Sequence, residues 1–137
     1  MKKHDTSLLD IDRRLEQRAE LLSEAARVLP ELVPAERKEL RAHVLDFLRH
    51  DFGRHMVKEE RLLYPQLAER LGDPLAAAPL NYEHRAIRWW TDRIAQTDVT
   101  DTAQLQRLLY GVHALISVHL SREEDLEMMS AVCLVQE

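Results

Sequence analysis

Apolar residues recur at the three- and four-residue spacing of an α-helix along almost the whole chain. The pattern breaks clearly in only three places: from Pro30 to Pro34, at Gly72-Asp73-Pro74, and through Thr97-Asp98-Val99-Thr100-Asp101. Three breaks make four helices. The pattern predicts one over about 5–29 and a second over about 34–71, with Pro34 at its first position and Glu36 in its first turn. A third is expected over about 80–94, and a fourth from the 97–101 turn, rich in capping residues, to about 132. Short turns make sequential helices antiparallel neighbours, so the expected fold is an all-α, up-down-up-down four-helix bundle. With three glycines and 5% aromatic residues, the composition suits packed helices rather than a sheet. A length of 137 residues, 45% of them hydrophobic, suits one domain covering 1–137.

Charge excludes some partners. The net charge of -5 is spread along the chain without a basic block, which argues against nucleic acid. No window approaches the roughly 20 apolar residues needed to span a membrane. The single cysteine, Cys133, has no internal disulfide partner, and the first residues lack the apolar run of a signal peptide, so a reducing cytoplasm is the expected location. Seven histidines in so short a chain point toward metal.

An internal repeat sharpens that indication. His55-Met56-Val57-Lys58-Glu59-Glu60-Arg61-Leu62 aligns with His119-Leu120-Ser121-Arg122-Glu123-Glu124-Asp125-Leu126, with identity at four positions. A His and a Glu four apart share one helix face, offset by about 40°. Leu105, Leu108, Val112, Leu115, Glu123 and Leu126 all fall within about 40° of His119, so that face is the apolar one. On the second helix Val44, Leu48, Glu59 and Leu62 lie within about 40° of His55, with Phe52 about 60° away. Glu60 and Glu124 come out about 140° from their histidines and belong on the solvent side. A lone histidine on an apolar stripe is ordinarily a hydrogen-bonded core residue. Two buried carboxylates, each one turn beyond a buried histidine, require a cation, because an ionised Glu in a core costs several kcal/mol unless it is paired or bound to metal.

Four such ligands underfill a dinuclear site, so the first and third helices should contribute. His4 is centred on the stripe of Leu8, Ile11, Leu15, Leu22 and Leu29, all within about 40°, and Asp12, about 80° away, is the alternative ligand on that helix. His84 flanks the apolar face of Leu80, Ile87, Trp90 and Ile94. Antiparallel hairpins about the 30–34 and 97–101 turns bring His4 level with His55 and His84 level with His119. His43, His50 and His113 lie about 120° to 140° off the ligand faces and are expected at the surface or its boundary. Cys133, Trp89, Trp90, Tyr64, Tyr82 and Tyr110 are expected to serve in packing, with electron relay a rival role for the aromatic residues.

This arrangement resembles the hemerythrin-like HHE cation-binding family over nearly the whole chain, and Glu59-Glu60-Arg61-Leu62-Leu63-Tyr64-Pro65 also looks like that family's stretch after its first Glu. The resemblance implies two iron ions, one held by His4 and His55 and the other by His84 and His119, with Glu59 and Glu123 bridging. Respiratory hemerythrins resemble the chain in fold but carry a second His four residues after the third-helix ligand and a bridging Asp five after the last His. Arg88 and Glu124 stand at those positions here, which implies more than one open coordination position and argues against reversible oxygen carriage. Ferritin-like bundles repeat Glu-x-x-His, a repeat this sequence lacks.

Imidazole and carboxylate ligands suit iron, with manganese possible, and the lack of a thiolate cluster argues against structural zinc. The expected function is binding of a small diatomic (oxygen or nitric oxide) or peroxide at the metal pair, in sensing or redox chemistry. Two alternatives stand beside it: a peroxide- or nitric-oxide-consuming oxidoreductase, and an iron donor or store for iron-sulfur repair.

Overall fold

The computed structural model describes residues 8–136, with the side chains of 13–132. Among them every regular element is helical. The order is α1 (Leu8–Val28), a 3-10 turn (Leu29–Glu31), α2 (Pro34–Asp46), a π-helical turn (Phe47–Asp51), α3 (Phe52–Lys58), a second π turn (Glu59–Leu63), α4 (Tyr64–Leu71), α5 (Ala78–Gln96) and α6 (Thr102–Gln136). α2, α3 and α4 continue through the two π turns as one long rod. The described chain is thus an all-α bundle, as expected.

Local chemistry sets the ends of the rods. Pro34 opens α2, and the Glu36 carboxylate reaches back to accept the Val33 N–H at 3.0 Å. At the end of α4, Gly72 adopts φ 66°, a left-handed conformation that costs glycine nothing, and the Asp73 N–H then bonds the Ala68 carbonyl at 3.0 Å. Asp98 accepts from the Thr100 N–H and hydroxyl at 2.9 and 2.8 Å, and Asp101 caps α6 by accepting the Gln104 N–H. Long-range bonds fix the register. Gln106 donates to the Ala26 carbonyl and His113 meets Glu20, so α1 and α6 run antiparallel. Trp90 lies over Gly111 while His84 meets His119, and the same holds for α5 and α6.

The rod differs from a regular helix in one respect that matters for the site. Its inward positions Phe52, Met56, Glu59, Leu63 and Leu67 are mostly four apart, wider than the 3.6-residue turn of an α-helix can keep on one face. The π turns absorb the excess, with the Phe52 N–H bonded to the Phe47 carbonyl and the Tyr64 N–H to the Glu59 carbonyl. Pro65 supplies a cause for the second one. It has no N–H, and in an α-helix its ring would collide with the Arg61 carbonyl, so the turn before it widens. Leu62, expected inward, is consequently 57% exposed, and Leu63 and Tyr64 turn into the core instead.

Burial falls into two apolar clusters. The larger joins Leu15, Leu22 and Leu29 to Phe52, Met56, Ile87, Ile94, Val112, Ile116 and Leu120. The smaller joins Leu63, Tyr64, Leu67, Ala77 and Leu80, with Leu126 against it. Each fully buried Leu or Ile contributes about 1.5–3 kcal/mol, so the larger cluster dominates the stability. A band of buried His and Glu residues lies between the two clusters, contributed by the rod, α5 and α6. Of the aromatic residues expected in packing, Trp90 packs on the core, but Trp89, Tyr82 and Tyr110 are exposed because each falls on the outer side of its helix.

Candidate metal centre

Glu59 arrives from the rod, His84 from α5, and His119 and Glu123 from α6. All four are buried, and one ligand atom from each lies within 4.8 Å of those of the other three. His55 joins them from one turn before Glu59, its Nε2 3.1 Å from Glu59 Oε2. Five of the six expected ligands are thereby brought together. His4 lies outside the described residues, as do the side chains of Asp12 and Cys133. His43 and His50 are exposed and His113 is half-buried, all away from the cluster, as expected.

The two buried imidazoles His84 and His119 meet Nε2 to Nε2 at 3.0 Å. Each is held from behind by a carboxylate: Glu60 Oε2 lies 2.6 Å from His84 Nδ1, and Glu83 Oε1 lies 2.9 Å from His119 Nδ1. A carboxylate can only accept, so both Nδ1 atoms carry the hydrogen, and each ring presents a lone pair at Nε2 once that nitrogen is deprotonated. Two lone pairs facing each other beside two carboxylates repel unless a cation lies among them. Glu123 Oε1 is also buried without a hydrogen-bond partner among the described residues, a position that costs about 1–3 kcal/mol for a neutral acceptor and more for a charged one. The donor set therefore fits a metal ion.

Without a metal, protons stand in for that cation. Burial alone would raise Glu59, but hydrogen bonds from His119, His55 and His84 outweigh it and hold the carboxyl far below the usual range. Burial raises Glu123 to about 8, the nearby Glu59 adding to it against the hydrogen bond from His119. Burial would lower His119, yet its bonds with Glu123 and Glu59 raise it to about 10. The cluster thus holds onto protons at His119 and Glu123.

Glu60 corrects the sequence expectation. It does not face solvent freely but is half-buried, because the π turn swings it toward α5, where it bonds His84 and meets Arg88 Nη1 at 3.0 Å. Burial would raise its pKa, and the Arg88 and His84 hydrogen bonds lower it instead. Arg88, which cannot ligate a metal, here anchors the carboxylate that orients a candidate ligand. Glu83 has the same role on the other side, held by Arg122 Nε at 2.7 Å. Glu124 is exposed, as expected.

Two residues of the site were missed. Glu83 directly precedes His84, a position with no periodic signal of its own. Tyr64 was assigned to packing, yet its hydroxyl donates to Glu123 Oε2 at 2.6 Å and lies 2.9 Å from His84 Nε2. The four-residue spacing of His55, Glu59, Leu63 and Leu67, followed up, would have indicated an underwound rod and placed Tyr64 inward.

A helical bundle whose core is split by a buried histidine and carboxylate cluster has the architecture of a metal-binding protein. The family model of the hemerythrin HHE cation binding domain matches residues 6–129, and the chain belongs to that family. No curated protein and no solved structure matches it significantly. Family membership and the buried cluster together point to a bound metal ion. Among the described residues no helix is long and apolar enough to cross a membrane.

Proposed function

We propose that the protein is a non-haem di-iron protein that binds a small ligand, oxygen, nitric oxide or peroxide, in sensing or redox chemistry. In this reading His84 and His119 hold one iron and His55 the other. His4, or else Asp12, completes the His55 half, and Glu59 and Glu123 bridge. One observation carries the proposal: the two oxygens of Glu59 face different histidines, Oε1 lying 3.2 Å from His84 Nε2 and Oε2 lying 3.1 Å from His55 Nε2. That is the disposition of a carboxylate shared between two ions rather than chelating one. An iron pair in such a site would supply two one-electron redox centres and Lewis acidity toward a small ligand. The chain itself supplies the tautomers, through Glu60 and Glu83, and the exclusion of water, through the apolar clusters on either side.

The test is anaerobic loading with ferrous ion, metal counting, and exposure to air while the visible spectrum is recorded. About two irons per chain and new visible absorption are expected from a bridged pair. A chain that takes up no iron, or only zinc, overturns the proposal. Steady consumption of peroxide by the loaded protein would identify an oxidoreductase instead of a binding module, and ready transfer of iron to an apo acceptor would identify a donor.

A further inference from the structure

Tyr64 does not lie beside the cluster but within it. Its hydroxyl oxygen is 2.6 Å from Glu123 Oε2, 2.9 Å from His84 Nε2, 3.4 Å from His119 Nε2 and 3.5 Å from Glu59 Oε1. The ring is 3% exposed and is held by Leu63, Leu67 and Leu80, so the hydroxyl has little freedom to swing elsewhere. Donors that share one ion at bond lengths of about 2.0–2.2 Å stand about 3.0–3.5 Å apart when adjacent. His84 Nε2 and His119 Nε2, at 3.0 Å, satisfy that spacing, and so do the distances from Tyr64 Oη to His119 and Glu59, with the 2.9 Å to His84 close to it. A residue that merely lined the site would hydrogen-bond one ligand from outside. Tyr64 Oη instead stands among four of them.

We infer that Tyr64 is itself a ligand, binding through its phenol oxygen the iron held by His84 and His119. On coordination the O–H bond breaks, an oxygen–iron bond forms and the proton passes to solvent, with no electron transferred. The inference rests on the di-iron reading and deepens it. With Tyr64 filling a position on the His84 and His119 half, exchangeable positions are confined to the His55 half. The described surface agrees: a cleft lined by Arg14, Leu15, Arg18, Asp51 and Arg54 reaches His55, whereas His84 and His119 are fully enclosed. A small ligand thus has a route to one half of the site, past arginines that favour an anion.

Resonance Raman spectroscopy on the iron-loaded, air-oxidised protein tests the assignment. Excitation in the visible band should enhance phenolate ring modes, and Tyr64→Phe, which keeps the packing ring, should lose both the modes and the associated absorption while retaining its iron. Bound iron without phenolate modes in the unmodified protein overturns the tyrosine assignment and leaves the di-iron reading standing. The same holds if Tyr64→Phe keeps the wild-type spectrum. A protein that binds no iron removes both. The measurement on the unmodified chain decides the matter even if the variant fails to fold.

Discussion

His84 and His119 approach Nε2 to Nε2 at 3.0 Å, each fixed through Nδ1 by a carboxylate that is itself tied to an arginine. The pairs are Glu60 with Arg88 and Glu83 with Arg122. These outer carboxylates hold the ring orientation and increase the basicity of each Nε2. Glu83→Gln can still accept a hydrogen bond but removes the charge, so iron affinity should fall about 10- to 100-fold while the fold persists. Competition with a chromogenic chelator measures this, and an unchanged affinity would show that Glu83 is incidental to the site.

Metal binding should also release protons. Without metal, His119 at about 10 and Glu123 at about 8 both hold their protons at neutral pH, while Glu59 is already ionised. To bind metal, His119 must present a free Nε2 and Glu123 a carboxylate, so both must deprotonate. The sign follows: affinity rises with pH up to the raised pKa values. Titration with ferrous ion in weak buffer should register the protons, and an affinity that stays flat between roughly pH 6 and 8 would contradict the assignment of these two ligands.

The fold and the inward placing of the two His and Glu pairs were legible in the sequence because each depends on one local periodicity. His55 and Glu59 lie within a single helical turn, as do His119 and Glu123, so 100° per residue places them correctly whatever happens further along. The error accumulated beyond Glu59, where the π turn shifts the phase, and there Leu62 was placed inside and Tyr64 was given a packing role. Glu60 was misjudged for a related reason. A position far round the wheel from the core can still face a neighbouring helix, and the long side chain of Glu60 meets α5 there. The carboxylates behind the histidines depend on which helices adjoin, information that no single helix carries.

The helix-one ligand has a direct test of its own. If His4 completes the His55 half, His4→Ala should lose that half's iron selectively, leaving about one iron per chain, whereas Asp12→Ala should retain both. Metal counting on the two variants separates the alternatives, and an unaltered spectrum and stoichiometry in His4→Ala would exclude His4.

His119→Ala should be damaging in a different manner. It removes an imidazole from a fully buried position and takes from Glu59 and Glu123 an ion-pair partner, at 3.9 and 3.3 Å. Breaking one side of a buried ion pair costs about 3–5 kcal/mol. His119, raised to about 10, contributes stability that is full below its ordinary value of 6.5 and lost as pH rises through 10. The variant should therefore bind less iron and, in the metal-free state, unfold at lower denaturant concentration, with the deficit narrowing as pH rises toward 10. A deficit that stays constant between roughly pH 6 and 10 would mean that the protonated imidazole is not its source.

The last prediction concerns the spacing of the helices that carry the site. Trp90 of α5 lies directly over Gly111 of α6, and a Cβ at residue 111 would stand 2.3 Å from Cζ3 and 2.6 Å from Cη2 of the indole. The ring is rigid and packed on the core, so it cannot yield as a flexible side-chain tip would, and Gly111→Ala must push α5 away. Overpacking of this kind costs about 1–3 kcal/mol. Because α5 also carries Glu83 and His84, the same displacement pulls His84 away from His119, so iron affinity should fall along with the melting temperature. Gly53→Ala provides the control: its added Cβ meets only the Leu48 carbonyl oxygen, at 3.3 Å. If Gly111→Ala proves no less stable than Gly53→Ala, the close approach of α5 and α6 does not set the geometry of the centre.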